Sequence, residues 1–248
     1  MDLSQLHIVI PFLTILVIVA FMYASVGHGG ASGYLALMAL FVFPTAVMKP
    51  TALLLNIFVA GVSFWFFKKS HHFNWKLFYP FAITSIPASF VGGMLSVNPT
   101  LYKQILGLFL VIAILRMLNV FGSTPVQQRK NHLGLSLFIG LAIGFFSGMI
   151  GIGGGIILSP VIILMGWGNM KQAAAVSALF IFVNSISGMT GFLVKGGTVP
   201  QEAFYLIPVV LIGGSLGAAY GSKRFSGNVL KYLLSTVLAV ASAKLFLV

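Results

Sequence analysis

The sequence predicts an all-α polytopic membrane protein of two inverted repeats, each of about five transmembrane segments. The second segment of each repeat is short and preceded by a glycine-rich break. Three observations predict this. The 248 residues are 59% hydrophobic and only 6% charged, with mean hydropathy +1.07, whereas ordinary soluble domains carry roughly 25% charged residues. Eight apolar runs, 8–26, 46–67, 77–97, 101–120, 133–150, 172–194, 203–221 and 228–247, meet or approach the about 20 residues that cross a bilayer. Two glycine clusters, Gly27-His28-Gly29-Gly30-Ala31-Ser32-Gly33 and Gly151-Ile152-Gly153-Gly154-Gly155, interrupt apolar sequence at the same relative place, 124 positions apart.

The elements follow in order. Run 8–26 lacks the basic flank of a cleavable signal, since Asp2 is the only charge before Lys49, so it is expected to remain as a span. The first cluster leads into a short apolar segment, 31–43, and the second into 154–166. Thirteen helical residues rise about 20 Å, short of the ~30 Å core. The glycines before them supply the remaining depth as extended chain. Beyond the clusters the offset between halves becomes 128: Ala46 matches Ala174, Asn56 matches Asn184, Gly93 matches Gly221 and Lys103 matches Lys231. The hydrophilic stretch 122–132 reads as a linker between an N-terminal repeat, 1–121, and a C-terminal repeat, 133–248.

Charge sets the orientation. With five crossings per half and the N-terminus outside, ten basic residues fall inside and four outside. If the short segments do not cross and the N-terminus is inside, the split is eight inside to six outside. The positive-inside rule favours the first arrangement, with both termini outside and the linker inside. An odd number of crossings inverts the second half relative to the first, a plan common among carriers. The net charge of +12 therefore reads as loop chemistry at a membrane surface and not as a nucleic-acid interface.

The short helices carry the candidate chemistry. Each begins with unpaired N–H groups and the positive end of its dipole, a ready site for an anion. The candidate substrate-binding residues are Gly27, His28, Gly29, Gly30 and Ser32 in the first break and Gly151, Gly153, Gly154 and Gly155 in the second. The mid-span amides Asn56 and Asn184 join them, either as substrate ligands or as ties between helices. His28 either donates to an anion, titrates to couple protons, or is satisfied by a backbone carbonyl. Lys49 is either a shallow cation near the outer mouth or a side chain that snorkels to the interface. Gly140, Gly144 and Gly148, and likewise Gly213, Gly217 and Gly221, read as close-packing positions.

Asp2 and Glu202 are the only carboxylates and both lie at span ends, which argues against an acid-driven carrier, a divalent-cation carrier or a hard-metal site. Cysteine is absent, so no disulfide or thiol site exists. No cofactor, metal or enzymatic constellation is expected.

The run Ser25-Val26-Gly27-His28-Gly29-Gly30-Ala31, with Gly148-Met149-Ile150-Gly151-Ile152-Gly153-Gly154-Gly155, resembles the sulfite exporter TauE/SafE family of bacterial membrane proteins. The resemblance covers essentially the whole chain. It implies a carrier in the bacterial plasma membrane for sulfite or organosulfonate-type anions; the residues themselves imply a small anion. Its partners are then that anion and the bilayer, with a homo-oligomer open. The alternatives are a scaffold whose glycines only pack helices, and a passive anion channel.

Overall fold

A computed structural model describes residues 6–95, 131–226, 228–230, 232–233, 235–236 and 239. The expected segment 101–120, most of the linker and the end of the last segment lie outside the described residues. The described residues form helices and no strands. The first half contributes α1 (Leu6–Ser25), α2 (Ala31–Leu40), α3 (Thr45–Lys69) and α4 (Trp75–Met94). The second contributes α5 (Leu133–Ile150), α6 (Gly155–Leu164), α7 (Met170–Val194), the single turn α8 (Glu202–Tyr205) and α9 (Ile207–Lys223). Among the described residues six stretches are long and apolar enough to cross a membrane: α1, α3, α4, α5, α7, and α8 with α9 taken together.

The short helices are shorter than the sequence suggests. Each has 10 residues, about 15 Å, because each ends in a left-handed residue. In α6 that residue is Gly166 (φ +68°), whose N–H bonds Ile163 O while Trp167 N–H reaches Ile162 O, a glycine-type helix end. In α2 the same place, 124 positions earlier, is held by Val42 at φ +57°, an angle that costs a β-branched residue strain.

Two glycine ladders hold the bundle together. Cβ atoms added at Gly140, Gly144 and Gly148 of α5 would strike the Phe81, Ser85 and Ser89 carbonyl oxygens of α4. Cβ atoms at Gly213, Gly217 and Gly221 of α9 would strike the Val17, Phe21 and Ser25 carbonyls of α1. Residue numbers rise together in both ladders, so α4 runs parallel to α5 and α1 parallel to α9. Between α3 and α7 the numbers run oppositely, as Asn56 pairs with Ser185 and Gly61 abuts Phe182. Small residues at such seams let backbones approach where lipid supplies no hydrophobic drive.

The cores follow the same exchange. One packs Phe12, Leu16, Tyr34, Leu37, Leu55 and Val59 of α1 to α3 against Val210 and Ala218 of α9. The other packs Leu77, Phe78 and Phe81 of α4 against Ile143, Leu158, Ile162 and Phe180 of α5 to α7. Each half thus keeps its first three helices together and lends its fourth to the other. Apolar side chains such as Ile10, Ile18, Phe138, Leu141 and Ile212 face outward, as a lipid-facing surface requires.

α2 folds back along α1. Ser32 meets Tyr23 near the end of α1, and near its start Phe12 meets Phe41 edge-on and stacks with Phe43. The chain therefore returns to the end of the bundle where α1 began before α3 sets out.

Basic residues gather at the opposite end. Ser222 O, on the last turn of α9, accepts from both Lys171 Nζ (3.2 Å) and His72 Nε2 (3.0 Å), and Asn131 reaches Lys76 O. Partial burial, with Lys171 and His71 adding to it, lowers the His72 pKa, against the opposing pull of the Ser222 carbonyl. Lys49 lies at the far end, with its ammonium over Phe192.

Candidate functional site

Both breaks turn through left-handed glycines: Gly27 (φ +77°) and Gly30 (φ +99°) in the first, Gly151 (+87°), Gly153 (+74°) and Gly154 (+78°) in the second. Glycine adopts such angles without steric cost. At Gly154 space is lacking as well, since a Cβ would lie 2.5 Å from Ser147 Oγ and 2.6 Å from Ile143 Cγ2.

The breaks meet at Asn56, buried in the middle of α3. Its Oδ1 accepts the Ala31 N–H at 3.0 Å, capping the start of α2. Its Nδ2 donates to the Ile152 carbonyl of the second break at 3.1 Å and to Ser185 Oγ of α7 at 3.3 Å. A Cβ on Gly29 would collide with Asn56 Oδ1, and one on Gly153 would lie 2.8 Å from Asn56 Nδ2. One amide thus ties both breaks to the crossing of α3 and α7. Gly154, the residue that caps α6, offers no side chain. Among the described residues no protein acceptor takes the N–H groups of Gly29, Gly30, Gly153, Gly154 or Gly155.

His28 crosses between the breaks. Its Nε2 lies 3.0 Å from Ser159 Oγ in α6, and that hydroxyl donates to Ser177 Oγ of α7 at 2.7 Å. A small cavity lies at the start of α2, lined by Tyr23, His28, Gly29 to Ser32, Ile152, Ile156 and Ile181. Its volume of about 10 Å³ is room for about one water. Ser32 lines it and pairs with Tyr23 Oη at 2.9 Å.

The structure brings Gly29, Gly30, His28, Ser32, Asn56, Gly153 and Gly155 around this point. Gly27 and Gly151 sit one turn back, against Ala174 and Lys49. Asn184 is turned away to α4: its Nδ2 donates to Ser85 Oγ at 3.0 Å and to its own helix's Phe180 O at 2.8 Å, and its backbone carbonyl accepts from Ser89 Oγ at 2.8 Å.

A family model described as Sulfite exporter TauE/SafE matches residues 12–245. The chain belongs to the sulfite exporter TauE/SafE family. It is similar to a probable membrane transporter protein, y4hK, of Sinorhizobium fredii, at 36% identity over 99% of both chains. A probable membrane transporter of Methanocaldococcus jannaschii is 29% identical over 69% of this chain and 68% of its own. YunE of Bacillus subtilis, also a probable membrane transporter protein, is 27% identical over 70% of this chain and 71% of its own. No solved structure matches.

This TauE/SafE chain is a multi-pass membrane transporter, and its centre includes groups that sequence reasoning passed over. Ser159 is the one polar side chain in the run Gly155–Leu164, a signal that was available. Ser177 and Ser185 stand among many helical serines and carried none. Lys49 packs its stem against Gly151 and sends its ammonium to the Gly93 carbonyl at 3.3 Å. In this TauE/SafE transporter it is therefore a half-buried cation beside the second break, nearer the expected shallow cation than a side chain that snorkels away to the interface.

Proposed function

We propose that the protein is an alternating-access carrier of small anions, with sulfite and organosulfonate-type sulfur anions as its first candidates. The observation that carries this reading is the convergence of two glycine-broken helix starts on Asn56 with their N–H groups untaken. Such groups, in a low-dielectric interior, favour negative charge. Irregular backbone at membrane depth is tolerated where it lines a path. The family name adds sulfite as a candidate. The cavity as it stands is smaller than a four-atom oxyanion, so binding displaces part of its aliphatic wall.

The carrier is built as two inverted repeats, 1–121 and 133–248, joined by the linker. The opposite senses of α3 and α7, related by the repeat, support this. So does the exchange of fourth helices. It resides in the bacterial plasma membrane with the end bearing Lys68, Lys69, Lys76, Lys171, Lys223 and Arg224 in the cytoplasm and both termini outside.

Counterflow of sulfite, thiosulfate and a sulfonate in proteoliposomes tests the reading. A carrier gives saturation and counterflow. A channel gives voltage-driven current without counterflow, and a scaffold gives neither with the protein folded.

A further inference from the structure

His28 presents an acceptor, and not a donor, to the cavity at the start of α2. Ser159 Oγ has a single hydrogen and spends it on Ser177, so it accepts from His28 Nε2. Nε2 therefore carries the proton and Nδ1 holds a bare lone pair. The residue is 1% exposed and lines the cavity, and among the described residues its Nδ1 has no hydrogen-bond partner. No carboxylate stands by to hold a second proton on the ring, since Asp2 and Glu202 are the only two in the chain. Among the described residues the titratable groups around it are Tyr23 from α1, its ring 6.4 Å from the imidazole, and Tyr34 from α2. The facing parts of α3, α6 and α7 offer Asn56, serines and isoleucines.

We propose that this site takes its anion in a protonated form: an oxyanion of single negative charge that keeps one O–H. That O–H is donated to His28 Nδ1, and the charged oxygens lie on the untaken N–H groups of Gly29 and Gly30. This rests on the carrier reading and adds the ligand's protonation state. A doubly charged oxyanion brings only lone pairs to the Nδ1 lone pair and is rejected. A monoanion without an O–H leaves Nδ1 unpaired and is also disfavoured, because a site built to hydrogen-bond a hydroxyl discriminates strongly against analogues lacking it. The proton then crosses with the substrate, and no side chain needs to change its charge.

The test is counterflow in proteoliposomes at equal pH on both sides, over about pH 6 to 8, bracketing the ordinary histidine range. The probes are sulfite, whose second ionisation falls near neutrality, and methanesulfonate, which carries one charge and no O–H. The KM in total sulfite is expected to climb up to about tenfold per pH unit in the alkaline arm, while the KM expressed as hydrogensulfite stays constant. Methanesulfonate is expected to be used at least about tenfold less well, and His28→Phe, which removes the acceptor, to bring the two anions together. If that variant does not fold, the wild-type comparison decides alone. Equal use of both anions with a pH-independent KM overturns this proposal and leaves the carrier reading standing. Absence of flux and of binding for both overturns the two together.

Discussion

Replacing Asn56 with alanine should unfasten both breaks at once. The wild-type amide makes three buried hydrogen bonds, to Ala31 N–H, Ile152 O and Ser185 Oγ. Inside a membrane each is worth about 0.6 kcal/mol on average, so the bonds alone amount to about 2 kcal/mol. The larger effect is what truncation strands. The Ile152 carbonyl and the Ala31 N–H are left unpaired in a dry interior, at about 1–3 kcal/mol each when no other partner is found. The expected loss is therefore about 3–5 kcal/mol. Asn184→Ala provides the comparison. It gives up the Ser85 bond and a second bond to a carbonyl that already belongs to the α7 ladder, for about 1 kcal/mol. Both variants would be unfolded by titrating a denaturing detergent into mixed micelles, with α-helical circular dichroism as the signal. Asn56→Asp refines the case, because it keeps an acceptor for Ala31 but sets an oxygen against the Ile152 carbonyl. It should also destabilise more than Asn184→Ala. Equal losses for Asn56→Ala and Asn184→Ala would refute the claim that one residue fastens both breaks.

Four further outcomes are expected. Gly154→Val should abolish counterflow, since it combines a left-handed φ with collisions at Ser147 and Ile143; Gly144→Ala should instead cost about 1–3 kcal/mol by forcing α5 off the Ser85 carbonyl, and Gly134→Ala, with its nearest contact at 3.7 Å, should be neutral or mildly stabilising. Val42→Gly should raise stability by about 1 kcal/mol, the left-handed penalty of about 1–2 kcal/mol less glycine's entropy, and an unchanged unfolding midpoint would contradict it. In this cysteine-free protein, single cysteines at His71 and Arg224 should react with an impermeant thiol reagent from one side of the membrane and a cysteine at Gly196 from the other; labelling of all three from one side would break the topology. The lowered His72 pKa means the unfolded chain binds the proton more readily, so the stability this histidine contributes is present above about pH 6.5 and declines as pH falls below it; His72→Gln should flatten that decline in a pH series of unfolding curves.

The spans were legible because an apolar run of bilayer length has few alternatives, and α5 has the bounds 133–150 that hydropathy alone suggests. The breaks were legible because glycine is crowded there, four in Gly27–Gly33 and four in Gly151–Gly155, whereas the single pairs Gly92-Gly93 and Gly213-Gly214 are carried within α4 and α9. The different fates of Asn56 and Asn184 were not. They are matched at the 128-position offset, yet each turns to whichever serine its surroundings supply. Asn56 finds Ser185, whose counterpart 128 positions earlier is Ile57, so Asn184 has no such hydroxyl. Asn184 finds Ser85, whose counterpart 128 positions later is Gly213, so Asn56 has none there. Which face of a helix meets which neighbour is a tertiary fact, and hydropathy carries no trace of it. His28 shows the same limit. A histidine among glycines reads as a donor toward an anion, and nothing in the local sequence points to Ser159, 131 positions away, as the partner of its Nε2.

The second glycine ladder also sets a schedule. The α1 carbonyls of Val17, Phe21 and Ser25 are covered by Gly213, Gly217 and Gly221, each synthesised 196 residues later. At a translation rate of about 5–20 residues per second, α1 waits about 10–40 s for the partner that seals its flank. α4, by contrast, waits only 59 residues, the distance from Phe81, Ser85 and Ser89 to Gly140, Gly144 and Gly148 of α5. The membrane insertion machinery must therefore release α1 into lipid early or shelter it through most of the chain's synthesis, and a ribosome that stalls before residue 213 leaves behind a helix with one side unclosed.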